Sequence, residues 1–386
     1  MKIAMVSEQA SPLAPDLAQG DHVAELAKSM SALGHEVTVY TRRLDSTSPE
    51  RVHTEDGYDV VRVSAGPARE LTEDETVTHL GDFAEFLAGQ WRLRPPDVVH
   101  AHHWTSGLVA VIGAHRVGAH GVRVPVVHSH HGFGSRGAKQ RSDAEGLVAR
   151  RATWAVATNS AEAAKLPALG ARRTRISTVP CGVDLGLFHP DGPVVRRNRL
   201  KRVVTAGEPG PGNGFSELLT VTSTMDDVEL VVVGEHARAH LRRHAGDLGM
   251  ADRVVFTGAV PRADRPALLR SADVVACTPS AEPFGIMTME AMACGVPVVA
   301  TDTGVLADAV VLDVTGLLVA PHDVRALARA LRRSLGDETL RQQFGSAARD
   351  RTAARYSTRR LAADLVAVYE QADLTLSGRT TSQETG

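Results

Sequence analysis

Short apolar runs alternate with amphipathic helical stretches along this chain, and the alternation happens twice. Lys2 to Ser7 reads as a strand, Asp21 to Leu33 as a helix with Val23, Leu26, Ala27, Met30 and Leu33 on one face, and Glu36 to Tyr40 as the next strand. That rhythm predicts a parallel sheet covered by helices on both faces, because parallel strands need a crossover connection. Val52 to Ser64 reads as two short strands around Asp56-Gly57. Further strands follow at Val98 to Ala101, Val124 to His128, Ala155 to Thr158 and Ile176 to Val179.

The segment from Pro190 to Asn198 reads as a linker, after which the alternation restarts. Strands are expected at Arg202 to Ala206, Glu229 to Val233, Val254 to Thr257, Val274 to Cys277, Val296 to Ala300 and Leu317 to Val319. A chain of 386 residues is long for one core. The reading is therefore α/β, with two doubly wound Rossmann-like domains, ligands binding beyond the carboxyl ends of the strands in a cleft between the domains. The expected boundaries are 1–190 with 357–375, then 191–356, then a disordered tail at 376–386. Val324 to Ala354 is read as helical, broken near Gly336-Asp337 and near Gly345, and Arg359 to Gln371 as a last amphipathic helix.

Composition narrows the classes of function. A net charge of −2 and only 4% aromatic residues do not suit a nucleic-acid binder. No run is long enough for a membrane span, and Met1 to Val6 is followed by Glu8, so it reads as a strand rather than a signal peptide. Cys181, Cys277 and Cys294 have no metal-ligand spacing and read as buried thiols in a reducing cytoplasm.

Chemistry concentrates in Ser280 to Asp302. Glu282 lies in a loop between Pro279 and the helix that begins near Phe284-Gly285, and Glu290 lies just over a turn further on. The free amides of a helix's first turn attract anions, and a glycine there lets a ligand approach the backbone. A carboxylate, an anion cradle and a second carboxylate suit a sugar, a diphosphate and a ribose.

Glu282, Phe284-Gly285, Glu290 and the following A-M-A-C-G-V-P-V-V-A resemble the signature of retaining, nucleotide-sugar-dependent glycosyltransferases of family 4. The segments P-C-G-V-D from Pro180, T-G-A-V-P-R from Thr257 and G-H-E-V-T-V from Gly34 resemble the same family. The resemblance runs from Met1 to about Gln371 and implies the GT-B fold, with the terminal helix crossing back to the first domain. It implies a UDP-sugar donor, a small hydroxylated acceptor, and no metal or other cofactor. By resemblance Glu282 would hold sugar hydroxyls, Glu290 the ribose, and Phe284, Gly285 and Ile286 the sugar or phosphate through backbone amides. His131, last in V-V-H-S-H-H-G-F-G, would touch the donor sugar near the reacting carbon.

Gly20, Gly207 and Gly214 fit the family's phosphate loops. Glu208 and Asn213 stand where the family has an arginine and a lysine, so another cation, Arg136, Lys139 or Arg262, must serve, or the chain is a degenerate binding partner of an active transferase. Two histidine clusters, at His100, His102, His103 and at His128, His130, His131, lie at strand ends, and a metal is the sharper alternative for them. Glu8, Asp16 and Asp21 make the first loop acidic and favour a cationic acceptor. With the N-terminal S-E-Q-A-S-P-L-A, which resembles actinobacterial cyclitol-modifying members, that points to an aminocyclitol of aminoglycoside assembly, or to inositol phosphate.

Overall fold

A computed structural model describes residues 1–13, 18–133, 139–207, 212–234, 238–281 and 284–378. The chain forms two units, Met1–Pro180 with Arg359–Gly386, and Cys181–Thr358. The division falls after Pro180 rather than after Pro190, because Cys181, Val183 and Phe188 are buried in the core of the second unit.

Among the described residues the first unit holds eight strands: β1 (Lys2–Val6), β2 (Glu36–Arg42), β3 (Arg51–His53), β4 (Asp59–Val63), β5 (Val98–His102), β6 (Val126–Ser129), β7 (Trp154–Ala157) and β8 (Ile176–Thr178). They run in the order β3-β4-β2-β1-β5-β6-β7-β8, parallel except for the β3–β4 hairpin. Alternate residues of β1 serve opposite faces, as the two-residue period of a strand requires. Ile3 and Met5 pack with the helix Ala18–Ala32 and with Leu361, Leu365 and Tyr369 of the helix Thr358–Ser377. Ala4 and Val6 pack on the other face with Phe83, Leu87, Trp91 and Trp104. Each such fully buried side chain contributes about 1.5–3 kcal/mol, which is why the terminal helix belongs to this unit.

The second unit has β9 (Lys201–Ala206), β10 (Val228–Val233), β11 (Val254–Gly258), β12 (Val274–Cys277), β13 (Val298–Thr301) and β14 (Gly316–Val319). Their order is β11-β10-β9-β12-β13-β14, all parallel. Val204, Val231, Val275 and Val298 face one core, and Val203, Leu230, Val232, Val274 and Val299 the other. Valine-rich strands buried on both faces are what a helix-covered parallel sheet requires.

Several expected limits move. The first helix starts at Ala18 rather than at Asp21, which places Asp21 in its first turn, where an acidic residue suits the helix dipole. The helix Glu338–Arg355 runs unbroken through Gly345. A side chain there would strike the backbone of Gly295, so this glycine serves close packing, not a break. The last helix extends to Ser377 rather than ending near Gln371, which takes residues 376 and 377 out of the expected tail. All three cysteines are buried free thiols, and burial pushes Cys294 up to about 12.

Candidate functional site

In the second unit the helix Ile286–Ala293 starts from Gly285, which has left-handed backbone angles of φ 62° and ψ 21°. A Cβ at Gly285 would lie 2.6 Å from Val305 Cγ1, inside a core where Val305 is fully buried. Only glycine combines that turn with that packing. The turn sets the first amides of the helix, near Phe284, Gly285 and Ile286, at its N-terminal end, where the helix dipole favours an anion. Glu290, one turn on, is only 3% exposed, and Arg265 Nη1 lies 3.6 Å from its Oε1. Arg265 opens the neighbouring helix Arg265–Arg270. Glu282 lies outside the described residues.

The glycine-rich segment after β9 is described from Gly212 onward, so Glu208 also lies outside. Gly214 has φ 77° and abuts the backbone carbonyl of Thr278, just beyond β12. Asn213 Oδ1 accepts from the amide of Phe215 at 3.1 Å, at the start of the helix Phe215–Ser223. The residue at the family's lysine position therefore steadies a helix start. Arg262 lies over the ring of Phe188, its guanidinium carbon 5.3 Å from the centroid. Lys139 is exposed on the first unit, and Arg136 is outside the described residues. Arg265 is the cation that sequence reading missed: nothing in its spacing links it to Glu290, and only the packing of the two helices does.

In the first unit the ends of β1, β5 and β6 converge with the helix Ala18–Ala32. Gln19 reaches Ser7 Oγ and the His102 carbonyl, both at 3.5 Å, and Gly20 is buried in the next helical position. His131 has left-handed backbone, φ 55°. Its ring stacks on His102 at 5.2 Å, with His131 Nε2 2.9 Å from His102 Nδ1, and meets the edge of His22 at 5.3 Å. The next amide, Gly132, donates to Glu162 Oε1 at 3.1 Å. Glu162 also accepts from the Thr158 amide and hydroxyl, so a buried carboxylate fixes the turn that carries His131. That anchor too was missed by sequence reading.

The other histidines sort by role. His100 is bonded on both ring nitrogens, to Tyr369 Oη at 2.8 Å and to Ser129 Oγ at 2.9 Å. His128 Nε2 meets the His103 carbonyl at 3.1 Å, and the His128 and His130 rings lie 4.2 Å apart, as expected for alternate residues at a strand end. Burial holds the histidines neutral: His22 and His128 are lowered to about 4, His100 and His103 to about 3, and His102, His130 and His131 well below their ordinary value.

The expected acidic acceptor loop changes character. Glu8 is 2% exposed and lies 3.3 Å from Arg42 Nε, and Arg42 also donates to the Pro67 and Arg69 carbonyls. Desolvation raises the Glu8 carboxyl above its usual range, with Arg42 opposing. Glu8 is thus a structural ion-pair partner rather than a free acceptor ligand. Asp16 lies outside the described residues, which leaves Asp21 from that trio.

Sequence-family descriptions divide the chain as the fold does. A "Glycosyl transferase 4-like domain" matches residues 18–182, and "Glycosyl transferases group 1" matches residues 196–351. The D-inositol 3-phosphate glycosyltransferase of Jonesia denitrificans is 32% identical, with 98% of each chain covered, and that of Kineococcus radiotolerans is 33% identical, with 90% of each covered. Among solved structures, sucrose-phosphate synthase from Thermosynechococcus elongatus superimposes with a TM-score of 0.86 at 25% identity, covering 96% of this chain and 98% of that one. HepE of Anabaena, solved with UDP and glucose, gives 0.78 at 20% identity, covering 96% and 99%. Two Rossmann-like units with these matches define a glycosyltransferase of the GT-B fold. The chain belongs to the group 1 glycosyltransferase family that includes the D-inositol 3-phosphate glycosyltransferases.

Proposed function

We propose that this glycosyltransferase moves a hexose-class sugar from a UDP-linked donor to a hydroxyl of a cyclitol, with retention at the anomeric carbon and without a metal in the transfer step. The observation that carries the donor half is the Gly285 turn at the start of the helix Ile286–Ala293, with the Arg265–Glu290 pair one turn along it. In this reading the amides of Phe284, Gly285 and Ile286 receive the sugar or a phosphate, Gly207 and Gly214 let the backbone approach the diphosphate, and Glu290 takes the ribose. Glu282 keeps the role its signature implies, holding sugar hydroxyls. Arg265 supplies the positive charge that Asn213 does not.

The bond between the sugar and the β-phosphate oxygen breaks as the bond to the acceptor oxygen forms. The acceptor proton passes to the departing phosphate, and His131, held neutral and fixed through Gly132 and Glu162, orients the sugar. A phosphorylated cyclitol is the acceptor of choice, supported by relatives named D-inositol 3-phosphate glycosyltransferases that span nearly the whole chain. An aminated cyclitol, as in aminoglycoside assembly, is the second reading, favoured by Asp21 in the first helical turn near Gly20. The Glu8–Arg42 pair removes much of the charge argument for it.

Calorimetry with UDP, then a UDP-release assay with inositol phosphate and with an aminocyclitol, tests the reading. The expected result is UDP binding, release with one of the two acceptors, and a product whose anomeric proton signals retention. No binding at millimolar UDP refutes the donor assignment. Binding without turnover on any sugar–acceptor pair marks a degenerate partner instead.

A further inference from the structure

The histidines at the converging strand ends do not all have the same task. His100 spends both ring nitrogens on a hydroxyl each, as an ordinary core histidine does. His22, His102 and His131 form a tighter group: one ring nitrogen of each could serve a common ligand, and these three atoms lie within 4.8 Å of one another. They come from three chain segments, the helix Ala18–Ala32, the end of β5 and the turn after β6. The group holds imidazoles only. Its members are neutral, which is the ligating form.

We propose that His22, His102 and His131 form a binding site for a nitrogen-seeking divalent transition metal of the zinc class. Zinc–nitrogen bonds of about 2.0–2.1 Å set tetrahedral ligand atoms about 3.3 Å apart. The three nitrogens lie within 4.8 Å of one another, and His102 Nδ1 and His131 Nε2 already face each other at 2.9 Å. Small ring adjustments therefore close the site, with a water or substrate atom as fourth ligand. His102 is wholly buried at the centre of the group. Imidazole ligands without carboxylates favour zinc, copper or nickel and disfavour magnesium and calcium. An ion held here withdraws His131 from the donor sugar and inhibits transfer. That consequence rests on the proposed function, whereas the site itself does not.

The test is a zinc titration of the full chain in chelator-free buffer without donor, so it stands whether or not UDP binds. One zinc per chain is expected, with magnesium giving no heat. His22→Gln, on a partly exposed helix position, should weaken zinc at least 10-fold. The comparison variant is His244→Gln, because His240 and His244 stack one helical turn apart on another helix and could ligate by themselves. It should bind as wild type. X-ray absorption at the zinc edge of the wild-type protein should show three imidazole nitrogens near 2.0 Å, a readout that needs no variant to fold. Absence of zinc binding, wild-type binding by His22→Gln, loss in His244→Gln, or an oxygen-only shell would each overturn the site.

Discussion

Gly214→Ala should destabilise the second unit alone. At Gly214 φ is 77°, a conformation that costs an alanine about 1–2 kcal/mol. The added methyl would also run into the carbonyl oxygen of Thr278. That oxygen is backbone at the exit of β12, the strand between β9 and β13, so it cannot swing aside as a side chain could. Overpacking of this kind adds about 1–3 kcal/mol, which gives a total of about 2–5 kcal/mol. The sequence provides the assay. Its three tryptophans, Trp91, Trp104 and Trp154, all lie in the first unit. Urea unfolding followed by tryptophan emission therefore reports the first unit, and far-ultraviolet circular dichroism reports both. With a slope of about 2 kcal/mol per molar urea, the second unit's transition should fall by about 1–2.5 M while the emission midpoint stays fixed. An unchanged dichroism curve would show that the turn accepts a side chain and that its glycine is not required by the backbone.

Acid should act on the first unit. His22 and His128 at about 4, and His100 and His103 at about 3, sit below the ordinary 6.5 and remain neutral when folded. The unfolded chain takes up those protons first, so their contribution is complete above pH 6.5 and is lost as pH falls toward the folded values, at about 1.4 kcal/mol per pH unit for each histidine. The emission-detected midpoint should drop steeply between pH 6.5 and pH 5, and a flat profile would contradict the buried neutral cluster. Tyr369→Phe removes the hydroxyl that meets His100 Nδ1 and should cost the same unit about 1–3 kcal/mol in urea unfolding, although Tyr369 lies on the terminal helix. Arg265→Ala should lower transferase turnover by about 10²–10³-fold, with partial recovery in Arg265→Lys, if its charge stabilises the departing diphosphate.

The strands were legible because their valines are buried on both faces, and neighbouring residues such as Val203 and Val204 feed opposite cores. The Gly285 turn was legible because a glycine before an apolar helical run has few other uses. What depends on register was not. The β1–β2 register pairs Val6 with Tyr40, which two residues further brings Glu8 to Arg42 and turns a supposed acceptor ligand into an ion pair. The histidine group has the same origin, since β5 and β6 pair Ala101 with His128 and His102 with Ser129 and so bring two distant clusters together. Gly345 misled the reading because a glycine in a helix can mark close packing as well as a break, and only its neighbour Gly295 distinguishes the two.

The most direct test of the donor site is a crystal structure of the protein with a UDP-sugar bound. The diphosphate or sugar should accept hydrogen bonds from the backbone amides of Gly285 or Ile286, with the ribose hydroxyls at the Glu290 carboxylate. A donor seated elsewhere, with those amides and that carboxylate untouched, would contradict the assignment of the Gly285 turn.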